Sequence, residues 1–218
     1  MSKKNSNRTQ LITALDIGTT KVACLIARKD EHGQLTIAGV GHQLAKGIKS
    51  GIITDVSEVE TSIVAAVHTA EQMAGVDAVE EVIVNVNGTS LKSRQVSVEL
   101  DVLAEGVTDN DISDIIHEGC GSLQSDEATI IHCFPTNYML DGVKGLRDPR
   151  GMVGNKLGAE LQVVTAKASY LRNFSQCIAR SHLNIAEYVM NSHAAALAVL
   201  EPDEMNLGVV LIDMGGGV

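Results

Sequence analysis

The chain has 218 residues, 44% hydrophobic and 20% charged, enough apolar matter for one large core or two ordinary ones and too much for a disordered segment. Seventeen basic residues against 27 acidic ones give a formal net charge of −10, which repels phosphate backbones and anionic lipid and argues against general nucleic-acid binding. Aromatics are only 2%, so the core must be aliphatic, and no apolar run reaches the roughly twenty residues of a membrane span.

Residues 1–10 (MSKKNSNRTQ) form a polar arm without the apolar centre of a signal peptide. Residues 11–17 then read as a buried strand, broken by Gly18-Thr19-Thr20, and residues 21–27 (KVACLIA) as a second strand. A turn at residues 30–33 leads to a third strand at 35–40, so the chain opens with an antiparallel meander. Over residues 55–74 the period changes: Val56, Val59, Ile63, Val67, Ala70 and Met73 recur every three to four positions and Gly75 stands at the C-cap, which predicts a helix. Residues 81–86 (EVIVNV) return to strand, and strands joined through a crossover helix indicate a layered α/β domain.

Between residue 87 and about residue 162 the texture differs. Residues 90–103 alternate polar and apolar side chains like half-exposed strands, and residues 108–119 predict a short helix with Thr108 as N-cap and Asp111 three residues on. Residues 129–134 (TIIHCF) predict a strand stopped by Pro135, and glycine-rich residues 141–158 a loop. This stretch is expected to be a small inserted α/β domain. A strand at 163–166, a helix at 169–182, a strand at 185–190 and an alanine-rich helix at 191–200 follow, and the chain closes on an apolar run at 207–212 (LGVVLI), expected to be a buried strand.

Two places could carry chemistry. Asp16-Ile17-Gly18-Thr19-Thr20-Lys21 lies between two apolar strands: a glycine lets backbone N–H groups approach a phosphate, hydroxyls and Lys21 add donors, and the carboxylate can hold a water of a Mg²⁺ shell. It is not a Walker loop, since no GxxxxGK is present and a strand follows instead of a helix. Asp213-Met214-Gly215-Gly216-Gly217 repeats the pattern of apolar run, Asp and glycine at the other end of the chain, as two halves of a duplicated fold facing one nucleotide would. Elsewhere the candidates are plainer. The seven histidines lack HExxH or HxH spacing, and the cysteines Cys24, Cys120, Cys133 and Cys177 are scattered without a CxxC pair; they are expected to be reduced and packed, in a cytosolic protein. Arg147, Asp148 and Arg150 make a charged glycine-rich loop, either a solvated turn or a partner surface.

With these residues in view, the paired loops resemble the phosphate-1 and phosphate-2 loops of the actin-like ATPase superfamily. ALDIGTTKVACLIA, KGIKSGIITDVSEVETSI, VNGTSLKS, IIHCFPTNYMLDG and LRDPRGMVG are more specific and resemble the amino-terminal half of the FtsA family of bacterial cell-division proteins. The resemblance implies an actin-like (ribonuclease H-like) α/β subdomain 1A at residues 11–87 and 163–205, an inserted FtsA-type subdomain 1C at 88–162, and the first strand and phosphate-2 loop of a truncated subdomain 2A at 206–218. It implies ATP with Mg²⁺ as cofactors, Asp16 and Asp213 flanking the metal through water, and Gly18, Thr19, Thr20, Lys21, Gly215, Gly216 and Gly217 approaching the phosphates. It implies no catalytic residue, at most weak ATPase activity in a full-length protein, and no tight ATP binding by this half alone.

As partners the resemblance implies self-association into filaments, FtsZ through an absent 2B region, other divisome proteins through 1C, and membrane only through an absent carboxy-terminal helix. The location implied is cytoplasmic, at the inner face of the membrane at the division site. Two alternatives stay open on the residues: an actin-like pilus-assembly protein, and a sugar-kinase-type phosphotransferase, which the low aromatic content and the 1C-like insertion disfavour.

Overall fold

The computed structural model describes residues 10–88, 90–103 and 105–217, arranged as two compact units. Residues 1–9 of the arm expected at 1–10, and Val218, lie outside the described residues, while Gln10 is not arm but the first residue of the opening strand. The first unit opens with β1 (Gln10–Ile17), β2 (Lys21–Lys29) and β3 (Leu35–Leu44), paired as the expected antiparallel meander. A two-residue ladder, β4 (Ile48–Lys49) with β5 (Ile52–Ile53), follows, then α1 (Val56–Ala74) and β6 (Glu81–Val86).

The insert comprises β7 (Leu91–Asp101), α2 (Asp109–Gly121), β8 (Ala128–Leu140), β9 (Val143–Leu146) and β10 (Lys156–Lys167). After α3 (Ala168–Arg180) come β11 (Asn184–Met190), α4 (Asn191–Val199) and α5 (Pro202–Leu207). The first unit resumes at Arg172.

The sheet of the first unit has the order β11-β6-β1-β2-β3, with β6 parallel to both β1 and β11. Val82, Val84 and Val86 of β6 are fully buried, as a strand near the middle of a layered sheet requires. Helix α1 starts on Asp55, whose carboxylate accepts from Ser57 N and Glu58 N, and stops on Gly75 in the left-handed conformation. Its Ala66 and Ala70 lie so close to β3 that only glycine fits opposite: a Cβ at Gly41 would stand 1.9 Å from Ala66 O, and one at Gly39 2.1 Å from Ala70 O.

The sheet of the insert runs β7-β10-β8-β9, and α2 packs Ile112 and Ile115 onto a core with Tyr138, Leu140, Leu157, Ala159, Leu161 and Val163. Thr108 and Asp111 form the expected capping box at the start of α2.

Several expectations are corrected here. Residues 163–166 do not begin the return to the first unit but finish β10, because its pairing with β7 runs unbroken from Lys156↔Asp101 to Ala166↔Leu91. Pro135 does not stop β8; the ladder to β10 shifts register there, passing from Leu161↔Pro135 to Glu160↔Asn137, and such a bulge accommodates a residue without an N–H. The stretch 141–158 is not all loop. Asp141 and Gly142, at φ 48° and 84°, turn the chain into β9, and Asp141 accepts from Asn155 N and Lys156 N to start β10.

Residues 207–212 form no strand: Leu207 ends α5, and Gly208 to Ile212 run without a ladder partner among the described residues, largely exposed. An apolar run alone cannot make a strand, since each backbone group needs a neighbour to bond. Finally, Cys120 and Cys133 are joined as a disulfide, with Cα atoms 6.5 Å apart, where packed thiols were expected. Packing of α2 on the insert's sheet brings the end of that helix against the middle of β8. Cys24 and Cys177 are free and buried, as expected.

Candidate phosphate-binding site

The site is built in the first unit, where β1 ends in a tight turn. Gly18 N donates to Lys21 O at 2.9 Å, closing the turn between β1 and β2, so that amide is spent on the backbone and not offered outward. Thr19 is half-buried, while Thr20 and Lys21 are exposed. Thr19 Oγ1 accepts from Gly51 N at 3.0 Å, which ties the turn to the tip of the β4–β5 ladder. That tip has Ser50 at φ 48° and Gly51 at φ 73°, the paired left-handed residues of a two-residue hairpin turn.

The second glycine loop lies against the first. An added Cβ at Gly216 would stand 2.2 Å from Thr20 Cγ2, and one at Gly217 would stand 2.3 Å from Thr19 Oγ1 and 3.1 Å from Ser50 Cα. At Gly217 a side chain would crowd both the Thr19 hydroxyl and the Ser50 backbone, whereas at Gly216 the exposed Thr20 side chain would have to turn aside. Gly215 has open space on its Cβ side.

The two aspartates are linked by a chain of carboxamides. Asn85, buried near the end of β6, accepts from Ile17 N at 2.8 Å and donates through Nδ2 to Asp16 Oδ1 at 2.5 Å. The same Nδ2 lies 3.2 Å from Oδ1 of Asn191, the first residue of α4, and Asn191 Nδ2 donates to Asp213 Oδ2. Burial pushes the Asp16 carboxyl above its ordinary value; Lys21 and the Asn85 bond pull it down, and the Asp213 charge pushes it up again.

All nine residues expected at the site thus fall on two loops that meet: Asp16, Gly18, Thr19, Thr20 and Lys21 on one, Asp213, Gly215, Gly216 and Gly217 on the other. The donor set suits a hydrated divalent cation carrying phosphate, with two carboxylates, hydroxyls and one ammonium. Among the described residues no three His, Cys, Asp or Glu side chains gather as a metal cage, so a cation here would take most of its ligands from water and phosphate.

Sequence reasoning missed Asn85, Asn191, Ser50 and Gly51. A lone amide in the apolar run VIVNV and a Ser-Gly pair between Lys49 and Ile52 were the available signals.

Comparison with known proteins decides the family. Residues 88–165 match the family described as "SHS2 domain inserted in FTSA". Over 223 aligned residues the chain is 38% identical to the cell division protein FtsA of Rhizobium meliloti, covering 97% of this chain and 50% of that protein. The chain corresponds to the amino-terminal half of FtsA. The FtsA proteins of Pseudomonas aeruginosa and Escherichia coli are 30% and 27% identical, again over 95% of this chain and 50% and 49% of theirs. The chain thus spans about half the length of the FtsA relatives it matches.

A solved "PilM-PilN type IV pilus biogenesis complex" covers 90% of this chain with a TM-score of 0.60 at 10% identity, a likeness of fold alone. The fold class is the expected actin-like one carrying the FtsA insert. No described helix is long and apolar enough to cross a membrane.

Proposed function

We propose that this chain supplies the phosphate-holding half of an actin-like, ATP-binding scaffold of bacterial cell division, as an FtsA. The observation that supports this most is the joining of the two Asp–Gly loops through Asn85 and Asn191 in a chain that matches half the length of an FtsA over 97% of its own residues.

In this reading Asp16 and Asp213 hold water of a Mg²⁺ shell between them, and the cation offsets polyphosphate charge. Thr19, Thr20 and Lys21 donate to phosphate oxygens, while Gly215, Gly216 and Gly217 let the backbone come close. Gly18 keeps the turn shut. Nucleotide then favours a closed arrangement that self-associates into filaments, with hydrolysis weak or absent. A complete FtsA would place FtsZ filaments on the cytoplasmic face of the membrane at the division septum and support ring assembly, with the insert as a surface for other division proteins.

The pilus reading has only a 10%-identical likeness of fold behind it, and no residue pattern here favours a sugar kinase. The test is equilibrium binding of a fluorescent ATP analogue with Mg²⁺ to the complete gene product, alongside nucleotide-dependent sedimentation. Asp16→Ala and Asp213→Ala are each expected to weaken binding at least about tenfold and to reduce the pelleted fraction. Wild-type affinity in both variants would overturn the assignment.

A further inference from the structure

We propose that Asn85 and Asn191 are positioning residues for the metal–phosphate end of the site, two carboxamides in series that fix the Asp16 and Asp213 carboxylates relative to one another. The inference rests on the nucleotide reading above and goes beyond it, because neither asparagine is needed as a phosphate or metal contact.

A polar side chain among the fully buried valines of β6 is costly unless its bonds are made, and Asn85 makes them. The Ile17 N–H must be met by an oxygen, so it settles which way the amide faces. With Oδ1 held there, Nδ2 has to point toward Asp16 and Asn191. Asn191 receives that proton on Oδ1 and directs its own Nδ2 to Asp213. The series ends on a carboxylate at each side, Asn85 Nδ2 on Asp16 and Asn191 Nδ2 on Asp213, with the bond from Asn85 to Asn191 Oδ1 joining the two. The series engages Asp16 Oδ1 and Asp213 Oδ2, one oxygen of each group.

The choice of amide carries the functional argument. A lysine or arginine could satisfy the same oxygens, but it would neutralise the negative charge that a cation has to meet. A carboxamide orients the two carboxylates and leaves their charge intact. It also makes the loop of Asp213 answer to the strand beneath Asp16, since the bonds run from β1 and β6 through the start of α4. Outer partners of this kind govern metal affinity without touching the metal.

The test uses the complete gene product and reads Mg²⁺ titrations at a fixed concentration of the fluorescent ATP analogue, with Mg²⁺-free binding measured in EDTA. Asn85→Ala and Asn191→Ala are expected to raise the Mg²⁺ concentration at half-saturation about tenfold, with Mg²⁺-free binding changed less than about twofold. A merely structural loss would lower both together. If wild type shows no Mg²⁺-dependent nucleotide binding, the nucleotide reading falls and this inference with it. If wild type binds and Asp16→Ala does not, yet both asparagine variants keep the wild-type Mg²⁺ dependence, the positioning role alone is overturned. Should Asn85→Ala fail to fold by circular dichroism, Asn191→Ala, at the half-buried start of a helix, decides the matter by the same criterion.

Discussion

At the scale of single residues, charge and its partners decide most outcomes. Asp16 is held above its ordinary pKa by burial, whereas Asp111 is held below its ordinary value by the hydroxyl and amide of Thr108. The second case gives a signed pH dependence. An acid whose folded pKa is depressed adds stability above its unfolded value, here 3.8, and that stability is lost as pH falls below it. Asp111→Asn is therefore expected to flatten the dependence of the melting midpoint on pH below 3.8, read by circular dichroism at a series of acid pH values.

Residues were also where sequence reading reached both furthest and least. Asp16 and Asp213 stand out because Asp followed by glycine after an apolar run is a local pattern. The amides between them do not, because their role comes from the parallel register of β1, β6 and β11, which no local pattern encodes.

At the scale of elements, close packing sets the rules. Helix α1 was legible because its period and its Gly75 stop agree. The glycines of β3 carried no such signal, since what they face is a helix backbone some thirty residues further on. Gly41→Ala is expected to cost about 1–3 kcal/mol of unfolding free energy in a denaturant titration, because its Cβ would have to displace the Ala66 carbonyl. The same change at Gly121, where an added Cβ meets nothing within 4 Å, is expected not to lower stability.

The elements misread share a physical cause. β8 continues through Pro135 by a bulge, β10 runs past residue 163, and 207–212 lacks a ladder partner among the described residues. Each outcome depends on what lies beside the strand and not on its own composition. The Cys120–Cys133 pair is of the same kind, since a spacing of 13 residues says nothing until α2 lies on β8.

At the scale of the whole molecule, the chain is two units with separate cores. The sequence showed an insertion through its change of texture near residue 88. Its far boundary was harder to see because β10 is as apolar as a core strand of the first unit. Residues 88–171 produced alone are expected to fold, giving a dispersed amide spectrum and a cooperative thermal transition. A collapsed spectrum would show that the insert's core does not stand by itself.

The way the insert begins and ends bears on how such a molecule can change over time. Lys167 N donates to Ser90 O at 3.2 Å, and Leu91 stands opposite Ala166, so the chain leaves and re-enters the insert side by side. A segment with neighbouring ends can be exchanged for another at one point in a connecting loop without disturbing a single strand of the host sheet. The first unit and the insert can therefore diverge at independent rates, each constrained by its own packing.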